Sequence, residues 1–168
     1  MHDAVSLYMD APAERIWRLV SDVTAIGRFS PETFEAEWLD GATEPALGAR
    51  FRGHVRRNGY WPPYWTTCTV VDCDPGRAFG FAVGKDGGAV NTWRYRLDPQ
   101  GDGTEVTESF ELTDTPALRL YWMVAGRLRG RTNRAGMRTT LQRIKAVVEA
   151  TPAGTSPPGD RTEGKRDV

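Results

Sequence analysis

Two cysteines and two histidines are all that the 168 residues supply of the softer metal ligands. A structural zinc takes four ligands from Cys, His and carboxylate side chains. Cys68, Cys73 and His54, the sole internal histidine, do not make such a set, so neither a metal nor a cofactor is expected. The two cysteines lie five apart in one strand-like stretch, 64–73. Odd spacing in an extended strand sends side chains to opposite faces, which argues against a disulfide. No apolar run approaches the ~18 residues of a membrane span, and no basic-then-apolar leader precedes a cleavage site. A cytoplasmic location is therefore expected. Net charge is missing too: 22 basic and 22 acidic residues cancel, so no global field draws the chain to nucleic acid. Lysine is scarce, three against 19 arginines, and we read that as a general bias rather than selection for phosphate forks. No phosphate-binding glycine loop is found, because Gly84-Lys85-Asp86-Gly87-Gly88 and Gly101-Asp102-Gly103 read as hairpin turns. There is no internal repeat.

What is present fits one globular domain over 1–150. Hydrophobic residues make up 39% and charged residues 26%, enough for a core and too apolar for general disorder. Residues 151–168 are rich in Pro, Gly and charge and are expected to form a disordered tail. Val5, Leu7 and Met9 alternate with Ser6 and Tyr8 as a first strand. Pro12 suits the first helical position and Glu14 the third, opening a short helix that buries Ile16, Trp17, Leu19 and Val20. Asp22 is placed to cap a second short helix through Ile26. Phe34, Ala36 and Trp38 then alternate with glutamates as a second strand. Five further strands follow, separated by turn signals. One, over 49–57, sets Phe51, Gly53 and Val55 against Arg50, Arg52, His54 and Arg56. Later ones point Phe79, Phe81 and Val83, then Trp93, Tyr95 and Leu97, then Val106, Glu108, Phe110 and Leu112 to one side. Strands joined by short polar turns form an antiparallel meander.

Residues 117–149 read as one long helix. At 100° per residue Gly126, Gly130, Asn133, Met137, Leu141, Ile144 and Val148 share a face, and Arg127, Arg131, Arg134, Arg138 and Lys145 form a separate stripe. A face packed into solid core would not carry two glycines and an asparagine, since each interior glycine costs about 1 kcal/mol. The pattern predicts a helix lying across the sheet with a hollow beneath its upper half. The fold expected is α+β: a curved seven-stranded antiparallel sheet wrapped around a long C-terminal helix, with two short helices between strands 1 and 2.

A family resemblance rests on particular stretches. Asp10-Ala11-Pro12-Ala13-Glu14-Arg15-Ile16-Trp17, Asp22 and Phe29-Ser30-Pro31 resemble the opening of the START/Bet v 1-like (SRPBCC) superfamily. Trp38-Leu39-Asp40-Gly41-Ala42, Gly48-Ala49-Arg50-Phe51 and Thr104-Glu105-Val106-Thr107-Glu108-Ser109 resemble its polyketide cyclase/dehydrase and lipid transport branch. So do Asn133, Met137, Thr140-Leu141 and Ile144. The resemblance covers residues 4–149 and implies a helix-grip fold around a hydrophobic cavity. It implies no particular reaction, because that superfamily has no universal catalytic motif.

Within this frame Glu108 is the sharpest anomaly, a carboxylate on an inward face where an unpaired charge is expensive. It is the candidate catalytic acid, able to exchange a proton with a ligand carbonyl if burial raises its pKa. Arg94 or Arg96 turning inward would instead neutralise it, or it would sit hydrated at the cavity edge. Asn133 is a candidate for a ligand's polar end. Trp38, Phe51, Phe79, Phe81, Trp93, Tyr95, Phe110 and Met137 complete the expected apolar lining. His54 sits among arginines and reads as a surface residue. Trp61-Pro62-Pro63-Tyr64-Trp65 forms an aromatic bend, either a rim over the cavity mouth or a patch for a partner. The arginine stripe reads as a solvated face. The expected function is binding of a hydrophobic or aromatic small molecule, lipid- or polyketide-like. The alternatives are a cyclase/dehydrase-type enzyme using Glu108 and a protein-interaction module using the bend and the stripe. No nucleic acid or membrane-spanning partner is expected, and the oligomeric state is open, a homodimer included.

Overall fold

Alternation along each strand sorts the side chains into a greasy inner face and a charged outer one, and the sheet closes around whatever the inner face covers. The computed structural model describes residues 2–56, 62–85, 88–113 and 116–150, with the backbone alone at 85, 88–89 and 116–132. The order is β1 (His2–Met9), α1 (Ala13–Ser21), a 3-10 helix (Val23–Arg28), β2 (Thr33–Trp38), β3 (Arg50–Val55), β4 (Tyr64–Asp74), β5 (Ala78–Lys85), β6 (Gly88–Gln100), β7 (Gly103–Leu112) and α2 (Pro116–Glu149). Among the described residues seven strands form one curved antiparallel sheet in the order β1-β7-β6-β5-β4-β3-β2. This is the helix-grip arrangement. The expected tail over 151–168 lies outside the described residues.

Local signals explain the boundaries. Pro12 precedes α1 as its cap rather than opening its first turn. Its ψ of 140° is extended, while its carbonyl accepts from the backbone N–H groups of Arg15 and Ile16. Asp22 caps the 3-10 helix, accepting from Thr24 N at 3.0 Å and Thr24 Oγ1 at 2.6 Å. Asp74-Pro75-Gly76-Arg77 turns β4 into β5, and Gly76 takes the positive φ of 73°.

One facing expectation needs correction. Cys68 and Cys73 share the inner face, because a bulge at Val71 breaks the alternation: Cys68 pairs with Val83, Val70 with Phe81, and Cys73 with Phe79. Both thiols are nevertheless free, since five residues of strand span about 16 Å, far beyond disulfide reach.

The core is solid at one end of the sheet. Met9, Val70, Phe79, Leu97 and Val106 pack there against Leu141, Ile144 and Val148 of α2, all nearly inaccessible. Part of the basic stripe is structural rather than merely solvated. Arg134 Nε donates to Asp3 Oδ1 at 2.6 Å, and Lys145 Nζ donates to the Tyr8 carbonyl at 2.9 Å and to Glu149. Glu149 in turn accepts from Asp10 N. These bonds strap α2 to β1. Arg138 is exposed, whereas Arg127 and Arg131, like Gly126 and Gly130, are described by backbone alone. Among the described residues no helix is long and apolar enough to cross a membrane.

Candidate functional site

Towards the other end of the strands the sheet and α2 border a partly open cavity of about 530 Å³. Small residues, Gly53, Thr33, Thr66 and Gly84, are among those that line it. On the helix side Asn133, Gly136, Met137 and Thr140 roof the space. Residues of the loop after the 3-10 helix, Ser30 and Pro31, close one flank.

Most of the residues expected around this space do border it. Phe51, Phe81, Trp93 and Phe110 form aromatic wall, with Trp93 and Phe110 in contact at 4.8 Å between ring centroids. Tyr95, Glu108, Asn133 and Met137 also border it. Phe79 and Trp38 stand elsewhere. Phe79 is sunk in the solid end of the core, and Trp38 packs edge-on behind Phe51 at 5.7 Å. Periodicity names the face a side chain takes, not its depth along the helix.

Glu108 is 3% exposed. Neither arginine expected to neutralise it does so: Arg94 lies on the outer face near Asp72 at 3.9 Å, and Arg96 bonds Asp98. Its partner is Tyr95, directly opposite on β6, whose hydroxyl donates to Glu108 Oε1 at 3.1 Å. Oε2 is buried without a partner among the described residues. Burial pushes the Glu108 pKa up to about 8, with the Tyr95 bond pulling the other way. The same burial, with the Glu108 charge nearby, holds the Tyr95 phenol well above its ordinary value. At neutral pH the pair is therefore a phenol bonded to a largely protonated carboxylic acid.

Asn91 was not among the expected site residues. It is 9% exposed, borders the cavity and leaves Oδ1 buried without a partner among the described residues. The signal for it was present: extending the Trp93, Tyr95, Leu97 alternation back by two residues reaches Asn91, and β6 does begin earlier, at Gly88. Cys68 also borders the cavity, and burial raises its thiol pKa to about 12.

The aromatic bend divides between two faces. Tyr64 borders the cavity, whereas Trp65 lies outside the sheet, stacked on His54 at 4.4 Å and under the Arg52 guanidinium. His54 thus sits on the outer face, with Nδ1 3.4 Å from Glu35 Oε2. Trp61 lies outside the described residues. Among the described residues no cluster of His, Cys, Asp and Glu could hold a metal ion.

This fold and cavity match a known family. The chain belongs to the family described as polyketide cyclase / dehydrase and lipid transport, whose model matches residues 4–149. Among solved structures it is similar to a Polyketide_cyc-like protein of Corynebacterium glutamicum, with 29% identity, TM-score 0.61, and coverage of 89% of this chain and 91% of that one. It is also similar to a START superfamily protein of Mycobacterium smegmatis, at 17% identity and TM-score 0.69, covering 89% and 97% of the two chains. A third is the di-domain ARO/CYC BexL of the BE-7585A biosynthetic pathway, at 22% identity and TM-score 0.63. There the match covers 89% of this chain and 46% of BexL. The last two likenesses speak to the fold alone. No match is found among curated proteins. Family and architecture together support a hydrophobic ligand-binding fold.

Proposed function

We propose that the protein binds a hydrophobic or aromatic small molecule, lipid- or polyketide-like, in the cavity between the sheet and α2. The observation that carries this is the cavity of about 530 Å³, walled by aromatic side chains and bordered by the buried acid Glu108. Sites that enclose a small organic molecule have this size and this mixture of apolar wall and few polar groups. Burying about 300 Å² of apolar ligand surface is worth roughly 7 kcal/mol, from which association subtracts a substantial part. Glu108 and Asn133 then orient the ligand rather than supply its affinity. Native mass spectrometry of mildly purified protein tests this. A co-purifying apolar mass, released on unfolding, is expected. Absence of any such mass, together with no saturable binding of an apolar fluorophore, would remove the proposal.

A second reading, cyclisation or dehydration of a polyketide-like substrate, is favoured by one feature. Glu108 is an acid whose pKa lies near neutrality beside a tyrosine hydroxyl, so it can give a proton to a substrate carbonyl and take one back. Shape would guide the ring closure, and the acid would drive it. Glu108→Gln separates the two. It keeps the volume and removes the titrating proton, so turnover disappears if the protein is an enzyme, whereas binding survives if it is a carrier.

A further inference from the structure

We propose that Asn91 and Glu108 are the two polar ends of one elongated recognition site, which takes a flat, mostly apolar molecule with a hydrogen-bond acceptor such as a ketone at one end and a hydroxyl at the other. This rests on the cavity being a ligand-binding site and adds which ligands it selects. Three buried side-chain oxygens lack a partner among the described residues: Asp3 Oδ2, Asn91 Oδ1 and Glu108 Oε2. Two of the three belong to residues that border the cavity. Leaving such an atom unpaired is costly, so its presence calls for an occupant that satisfies it.

The register spaces the two ends. Glu108 pairs with Tyr95, and Asn91 lies four residues from Tyr95 on the same strand, opposite Leu112. Four residues of strand span about 13 Å. Between them Trp93 pairs with Phe110, and both rings border the cavity. The wall therefore runs acid, aromatic pair, amide, which is the complement of a molecule that is polar, apolar and flat, then polar. The polarity of each end follows from its free atom. Glu108 Oε1 already accepts from Tyr95, so a protonated Oε2 has its hydrogen left to donate, and it needs an acceptor. Asn91 Oδ1 is an acceptor and needs a donor.

The test is a series of naphthalenes of common body, titrated into the full chain at pH 7 by fluorescence. 6-Acetyl-2-naphthol carries both ends, 2-acetylnaphthalene and 2-naphthol one each, and 2-ethylnaphthalene neither. The two-ended probe is expected to bind about tenfold tighter than either one-ended probe. Asn91→Leu is expected to erase its advantage over 2-acetylnaphthalene while leaving 2-acetylnaphthalene itself within about twofold. Equal affinities for all four in the wild-type chain would overturn the two-ended site and leave the apolar cavity standing, with water filling the polar ends. Binding of none of the four would overturn both. The wild-type series decides the matter whether or not the variant folds.

Discussion

Tyr95 and Glu108 face each other across β6 and β7, the tyrosine hydroxyl donating to one carboxyl oxygen at 3.1 Å while the other has no partner among the described residues. The carboxyl stays protonated in the folded chain up to about pH 8, whereas its ordinary value is 4.5. Between those values the folded state holds a proton that the unfolded state has released. Stability is thus fully present below about pH 4.5 and is lost as pH rises through about 8. Glu108→Gln cannot ionise and escapes this loss. Urea titrations at pH 5, 7 and 9 are expected to show the Gln variant gaining on wild type by roughly 2–4 kcal/mol across that range. Parallel pH curves for the two chains would mean that the acid is hydrated and its pKa ordinary.

The inward faces of β3, β6 and β7 and the packed face of α2 at Met137, Leu141, Ile144 and Val148 were legible because burial imposes a simple period on each element. Non-local relations were not. Nothing local says that Tyr95 will stand opposite Glu108, since register belongs to two strands at once. Cys68 and Cys73, expected on opposite faces, share one because the extra residue at the Val71 bulge reverses the alternation beyond it. Asn91 escaped notice because a polar residue at the start of an apolar alternation looks like the end of the strand. The depth of Phe79 and Trp38 was equally hidden, since a period has no information about where along the strands the helix lifts away.

Gly136 separates helix stability from cavity volume. A methyl group added there meets only Pro31 Cγ, at 3.9 Å, an ordinary contact. Gly136→Ala is therefore expected to stabilise the chain by about 0.5–1 kcal/mol through helix propensity alone. Gly136→Leu keeps a helix-favouring residue but extends into the space that the glycine borders. It is expected to retain the urea midpoint while weakening 2-acetylnaphthalene binding by at least about tenfold. Undiminished binding by the Leu variant would show that the probe sits elsewhere.

Of the two cysteines, Cys68 borders the cavity and Cys73 does not, so their reactivities compare the cavity wall with the solid end of the sheet. Burial pushes the Cys68 thiol up to about 12, and Cys73, half-buried, is raised by burial and by Asp72 and Asp74 beside it. The thiolate is the reactive form, so both should react slowly at pH 8. Mass spectrometry after iodoacetamide treatment is expected to find Cys73 modified first and Cys68 spared in the folded chain, with both modified in urea. Early modification of Cys68 would mean that the cavity opens readily to solvent.

Asp3 and Arg134 form the strap nearest the cavity roof, since Arg134 follows Asn133 on α2 and Asp3 pairs with Phe110 on the cavity wall. The two partners differ in burial: the Asp3 side chain is 4% exposed and that of Arg134 66%. Truncating the arginine strands a buried carboxylate that already has one unsatisfied oxygen, whereas replacing the aspartate leaves only a solvated guanidinium. Arg134→Met is therefore expected to cost roughly 1–3 kcal/mol, discounted from the fully buried case because water screens the guanidinium. Asp3→Leu is expected to cost less, and adding it to Arg134→Met should recover most of the loss, since it removes the stranded charge and its orphaned oxygen together. Urea midpoints of the two single variants and the double variant measure this. If the losses simply add, the ion pair is not what holds α2 against β1, and the Lys145 bond to the Tyr8 carbonyl takes that role.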